Sequence, residues 1–269
     1  MSQSAKLAAY ALFFSVLTAF AGAQSYQVVT IDEPGTITGT VKWSGPVPHL
    51  PTAALSKDIE VCDPQSHKTR DLERLVIGPQ EGVANTVVFL KNISSGKPMD
   101  IPEARRFLDQ KQCRYEPHIL LVPENGAVQI RSSDATLHTV HMDGAATYNL
   151  PFPFTNQVVS RTMPAAGLVN IRCTGGHTWM NAEMLVVPHP YYAVTDMAGR
   201  FQLTDVPPGQ YEIVAWHEGW KLLRQEAAFD VLTGRKVERP VFSEARNWEK
   251  SVAVGKNETA VVNFVLADN

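Results

Sequence analysis

Ile171-Arg172-Cys173-Thr174-Gly175-Gly176-His177-Thr178-Trp179-Met180 places a thiol, an imidazole and a thioether within the eight positions from 173 to 180. An extended apolar run, Leu168 to Arg172, precedes it, and another, Ala182 to Val187, follows. These donors are the ones soft copper prefers, and a short loop between two strands can hold them around one ion. A trigonal site of two His and one Cys with a weak axial Met needs one more imidazole. Ser133-Asp134-Ala135-Thr136-Leu137-His138-Thr139-Val140-His141 offers two candidates upstream.

Outward from that loop, the start of the chain reads as a secretion signal. Lys6 is followed by an apolar stretch from Leu7 to Phe20 and by the small residues Ala21-Gly22-Ala23, so residues 1–23 are expected to be removed and no transmembrane segment to remain. The whole chain of 269 residues carries a net charge of −3. Without Lys6 the mature chain sits near −3 − 1, roughly −4. With no basic run, nucleic-acid binding lacks its electrostatic footprint.

An exported chain with three cysteines should pair two and leave one. Cys62 and Cys113 lie in charged, loop-like surroundings, whereas Cys173 ends an apolar strand beside His177. The expected disulfide is Cys62–Cys113, and the thiol left over is the one suspected of binding metal.

Elsewhere, short β-branched or alternating runs recur between Gly, Pro, Asn and Asp. They include Thr36 to Trp43, Thr86 to Lys91, Ile119 to Val122, Ala127 to Arg131, His138 to Met142, Arg200 to Thr204, Gln210 to Ala215 and Thr259 to Leu266. This pattern predicts an all-β chain of sandwiches. Helix is expected only over Pro102 to Leu108 and, for one turn, Ser243 to Trp248.

The stretch YAVTDMAGRFQLTDVPPGQYEIVAWH (192–217) resembles the central strands of carboxypeptidase-regulatory-like domains, which are small transthyretin-like β-sandwiches. Thr36-Ile37-Thr38-Gly39-Thr40-Val41, Asn85 to Leu90 and Thr259 to Leu266 fit its remaining strands. YEPHILLVPENGAVQIRSSDATLHTVHM (115–142) and GLVNIRCTGGHTWMNAEMLVVPH (167–189) resemble the plastocyanin-like half of cupredoxins. Together the resemblances imply two β-sandwiches. A cupredoxin-like Greek-key domain over 96–188 would be inserted into, or follow, a regulatory-like sandwich split between 28–95 and 189–269. Exported bacterial proteins described as methylamine-utilisation-like show this pairing.

The resemblance implies one copper ion, mononuclear, held by His138, Cys173, His177 and Met180. Val169 stands where a binuclear copper-A loop would carry its second bridging Cys, and Thr139 stands where the family usually has an Asn that braces the ligand loops. His141 is three residues from His138 and so faces the other side of a regular strand. His141, His118 and Met184 remain as alternates, although Met184 lies well into the closing strand, where a large apolar side chain is usually core. Trp179 reads either as an exposed rim for a redox partner or as ordinary packing. His217 and Glu218 are assigned no chemistry.

No nucleophile elbow, phosphate loop or zinc-protease helix is visible, so a catalyst is not expected. The reading is a secreted or periplasmic electron carrier cycling Cu(I)/Cu(II) with a redox partner protein. Copper capture or delivery is one alternative. Another is a sandwich that binds carbohydrate or protein and carries a vestigial copper motif.

Overall fold

Alternation along the strands decides which side chains meet. In Ala127–Ser132, Val128 and Ile130 are buried while Gln129 is exposed; in Gly167–Arg172, Val169 and Ile171 are buried while Asn170 is exposed. A period of two gives each strand one core face, and two such faces close on each other as a sandwich. The computed structural model describes residues 26–268, so the expected signal segment lies outside the described residues. No described helix is long and apolar enough to cross a membrane.

One sandwich joins a five-stranded sheet to a four-stranded sheet. The first runs Tyr148–Phe152, His138–Gly144, Gly167–Arg172, Asn181–Val187, Ile119–Pro123; the second runs Val158–Thr162, Ala127–Ser132, Phe107–Lys111, Arg114–Glu116. Val140, Met142, Val128, Ile130, Val169, Ile171 and Met184 share its core. The other sandwich packs the sheet Tyr192–Val194, Val87–Lys91, Gly209–His217, Arg246–Val254 against the sheet built on Gly35–Ser44, with Ile37, Val41, Leu90, Phe201 and Ile213 inside. The chain is thus an all-β protein of two sandwiches.

Two excursions cross from one unit to the other. The hairpin of Thr52–Ala54 with Thr69–Asp71 and the short helix Ile59–Cys62 place Leu55, Cys62 and Leu72 in the core of the first sandwich, not with the flanking strands of the second. The ribbon Leu222–Phe229 with Lys236–Phe242 leaves the second sandwich and sets Phe242 against the same core.

The two expected helices are not as read. Only Glu103–Arg105 forms a single 3-10 turn, and Phe107–Lys111 is instead a strand parallel to Ala127–Ser132 that buries Leu108, Asp109 and Gln110. Ser243 to Trp248 holds no helix, because Arg246–Val254 pairs along its whole length with Gly209–His217. In both places sheet partners distant in sequence outweigh weak local preference.

Between the sandwiches, His118 is buried against the Glu218 carboxylate, which also pairs with Arg74. Arg74 reaches Glu183 at 3.6 Å, and His217 is buried alongside. Burial alone would lower the His118 pKa, but the Glu218 charge raises it above the ordinary value of 6.5; Glu218, despite burial, is held below 4.5 by His118 and Arg74. Burial, then the neighbouring Glu218, pushes Glu183 up to about 8. A raised His stabilises the fold fully below its unfolded value and loses that contribution as pH rises through its folded value; a lowered Glu does the reverse. The His118–Glu218 pair therefore contributes most between the unfolded values of 4.5 and 6.5. His118→Gln should cost about 2 kcal/mol there. Urea titrations of parent and variant should show that gap at pH 5.5 and a smaller one at pH 9.

Candidate metal centre

Cys173 follows the last residue of Gly167–Arg172, and its backbone N–H donates to the Met180 carbonyl at 3.3 Å. Met180 N–H donates in turn to the His177 carbonyl at 3.0 Å. These bonds close 173–180 into a tight loop, with Gly176 at φ +92°. A Cβ at Gly176 would stand 2.6 Å from Asp230 Oδ2, so glycine is needed both for the backbone and for the approach.

The closed loop brings Cys173 and His177 to His138 at the start of His138–Gly144. One donor atom from each lies within 4.8 Å of the others. His138 Nδ1 and His177 Nδ1 are 3.2 Å apart, and His177 Nδ1 is 3.7 Å from Cys173 Sγ. Both histidines are 0% exposed. Burial by itself would raise the Cys173 pKa, but the two imidazoles hold it well below its ordinary 9.0. His138 is raised to about 9, against the effect of burial, by Asp134 and by the thiolate. The shift at Cys173 favours the thiolate, the form in which a thiol binds metal.

Each imidazole is fixed from behind. His138 Nε2 meets Asp134 Oδ2 at 2.9 Å, and His177 Nε2 meets Asp58 Oδ2 at 2.9 Å, which turns both Nδ1 atoms inward. Asp134 is itself held by the backbone N–H groups of Gln112 and Cys113, at 2.6 and 2.7 Å. Asp58 precedes the helix Ile59–Cys62 and also accepts from the Thr136 hydroxyl at 2.7 Å. Lys57 donates to the Gly175 carbonyl at 2.6 Å and to Asp230 at 2.8 Å, and Val231 N–H donates to the Thr174 carbonyl at 3.0 Å. Both excursions of the second sandwich thus close over the loop.

Thr139 does the bracing expected of an Asn. Its Oγ1 accepts from Thr174 N–H at 2.8 Å and lies 3.0 Å from Thr174 Oγ1 and 3.6 Å from Cys173 Sγ. Tyr115 donates to the Thr139 carbonyl at 2.7 Å.

Met180 is buried at the foot of the loop, while Met184 is core, opposite Val169 in the sheet register. His141 is partly exposed on the other side of its strand, and His118 is buried against Glu218, so neither joins the cluster. Cys62 and Cys113 form a disulfide and Cys173 is free. Trp179 is only 3% exposed; it stands edge-on to His177 and donates to the Cys113 carbonyl at 3.1 Å, so it forms no docking rim. The two carboxylates behind the rings were not anticipated. Asp134 could have been found, four residues before His138; Asp58 is 119 residues from His177, and no local pattern points to it.

A family model described as the second beta sandwich domain of a BOS complex subunit NOMO1-like protein matches residues 191–240. No curated protein matches the chain. Among solved structures, the chain is similar to the oxidized P96G mutant of amicyanin at 25% identity, covering 33% of this chain and 87% of that one, with a TM-score of 0.29. It is similar to a purple cupredoxin from Nitrosopumilus maritimus at 16% identity, covering 30% and 98%, with a TM-score of 0.27. It is also similar to a copper-containing nitrite reductase from Thermus scotoductus SA-01 at 14% identity, covering 36% and 24%, with a TM-score of 0.29.

The Thr139 hydroxyl carries a specific cost if removed. Thr139→Val keeps the shape but strands the Thr174 N–H, and should lower stability by about 1–2 kcal/mol. Thr139→Ser should retain most of it, as equilibrium unfolding of the two variants beside the parent will show.

Proposed function

We propose that the protein is an exported copper protein in which His138, Cys173, His177 and Met180 would hold one ion, and that it passes single electrons. The observation that carries this reading is the buried trio whose donor atoms lie within 4.8 Å of one another. Its chemistry fits the ion: a cysteine sulfur and two imidazoles are donors that suit copper, and a thioether suits its reduced state. Copper, when bound, supplies the Cu(I)/Cu(II) couple.

The chain's own residues do the rest. Asp134 and Asp58 hold the rings with Nδ1 inward, which fixes the orientation of both imidazoles. Closing Lys57, Asp230 and Val231 over the loop excludes water from the histidines. A redox partner would meet the ribbon turn rather than Trp179. Val231 and Leu232 are exposed there, and Val231 N–H bonds to the carbonyl of the residue after Cys173.

Addition of Cu(II) to the mature protein should give an intense thiolate-to-copper absorption band that Cys173→Ala abolishes. Weak bands unchanged by that substitution would refute the electron-transfer reading. Asp58→Asn should make His177 a poorer donor to Cu(II) and raise the midpoint potential. A tenfold loss of relative Cu(II) affinity corresponds to about 60 mV in a redox titration.

A further inference from the structure

The disulfide is not remote from the metal centre. Donor atoms of Cys62, Cys113 and His177 lie within 4.8 Å of one another, and those of Cys113, Asp134 and His138 do the same. Three cysteine sulfurs are therefore packed around a pair of imidazoles, although a mononuclear electron carrier needs only one. All three cysteines are buried. The segment carrying Cys62 also carries Asp58, the carboxylate behind His177, and residues 64–69 just beyond it are exposed. Opening the disulfide would thus release the cover of His177 and expose new soft donors in one event.

We propose that Cys62 and Cys113, once reduced, form with His177 a second copper site, selective for Cu(I). A dithiol donor reduces the disulfide. Its two electrons break the Cys62–Cys113 S–S bond, its two protons pass to the sulfurs as they separate, and the donor leaves as its own disulfide. Cu(I) then displaces the two thiol protons, which pass to solvent, without changing oxidation state. Two thiolates and one imidazole are soft, low-coordinate donors of the kind that select Cu(I). Local opening of the short Ile59–Cys62 helix and the exposed residues after it gives the donor its access. The site makes the same protein able to take up copper under reducing conditions.

Cys173 has no part in this site, so its fate is separable from the electron-transfer reading, with which it shares only His177. Cys173→Ala, with Cys173→Ser in parallel, is titrated with Cu(I) against a chromophoric Cu(I) chelator, as the disulfide form and after reduction by a water-soluble phosphine. The reduced form should take up one additional equivalent, His177→Ala on that background should weaken uptake at least tenfold, and Cu(I) should shield Cys62 and Cys113 from alkylation read by mass spectrometry. No uptake beyond the disulfide form, uptake indifferent to His177, or loss of the β-sheet circular dichroism on reduction would each overturn the proposal.

Discussion

Burying two imidazoles and a cysteine sulfur together is the constraint on which the rest of the structure depends. Each ring has two nitrogens, and a buried polar atom without a partner costs about 1–3 kcal/mol. With both Nδ1 atoms committed to the centre, the two Nε2 atoms need acceptors. Asp134 and Asp58 supply them at 2.9 Å each. The carboxylates then need donors of their own, which explains the backbone N–H groups of Gln112 and Cys113 on Asp134 and the Thr136 hydroxyl on Asp58. The cage is thus held by shells of hydrogen bonds that propagate outward until they reach solvent.

That demand also accounts for how the two sandwiches are joined. The first sandwich provides His138, Cys173, His177 and Asp134, but not Asp58, Lys57, Asp230 or Val231. Those come from excursions out of the chain that builds the second. The Cys62–Cys113 disulfide fastens one excursion to the turn that holds Asp134, and Arg70 reinforces it by donating to the Cys113 carbonyl at 3.0 Å. Two excursions from the second sandwich are therefore part of the wall of the candidate metal centre. The 173–180 loop is shielded by Lys57, Asp230 and Val231.

Much of this was legible in residues. The Cys173-to-Met180 spacing, the Ser133–Asp134 turn before His138 and the regular punctuation of short strands all act locally, within a few residues of one another. The disulfide followed from three cysteines and their surroundings. The strands Phe107–Lys111 and Arg246–Val254 were not legible, because their extended form depends on partners Ala127–Ser132 and Gly209–His217 rather than on their own preference. Thr139 shows the limit from another side. Its identity could be read as a departure from Asn, but only the 2.8 Å bond from Thr174 shows that a hydroxyl performs the same bracing.

By itself, the sequence determined the Cys173-to-Met180 spacing, the β character and the cysteine left unpaired, since each rests on residue type and short-range spacing. Tertiary structure alone decided that His177 and Trp179 are covered, that Asp58 stands behind His177 across 119 residues, and that the disulfide abuts both imidazoles. Side-chain chemistry and strand period are properties of neighbouring residues, whereas burial and the pairing of buried polar atoms depend on which distant segments the two cores bring together.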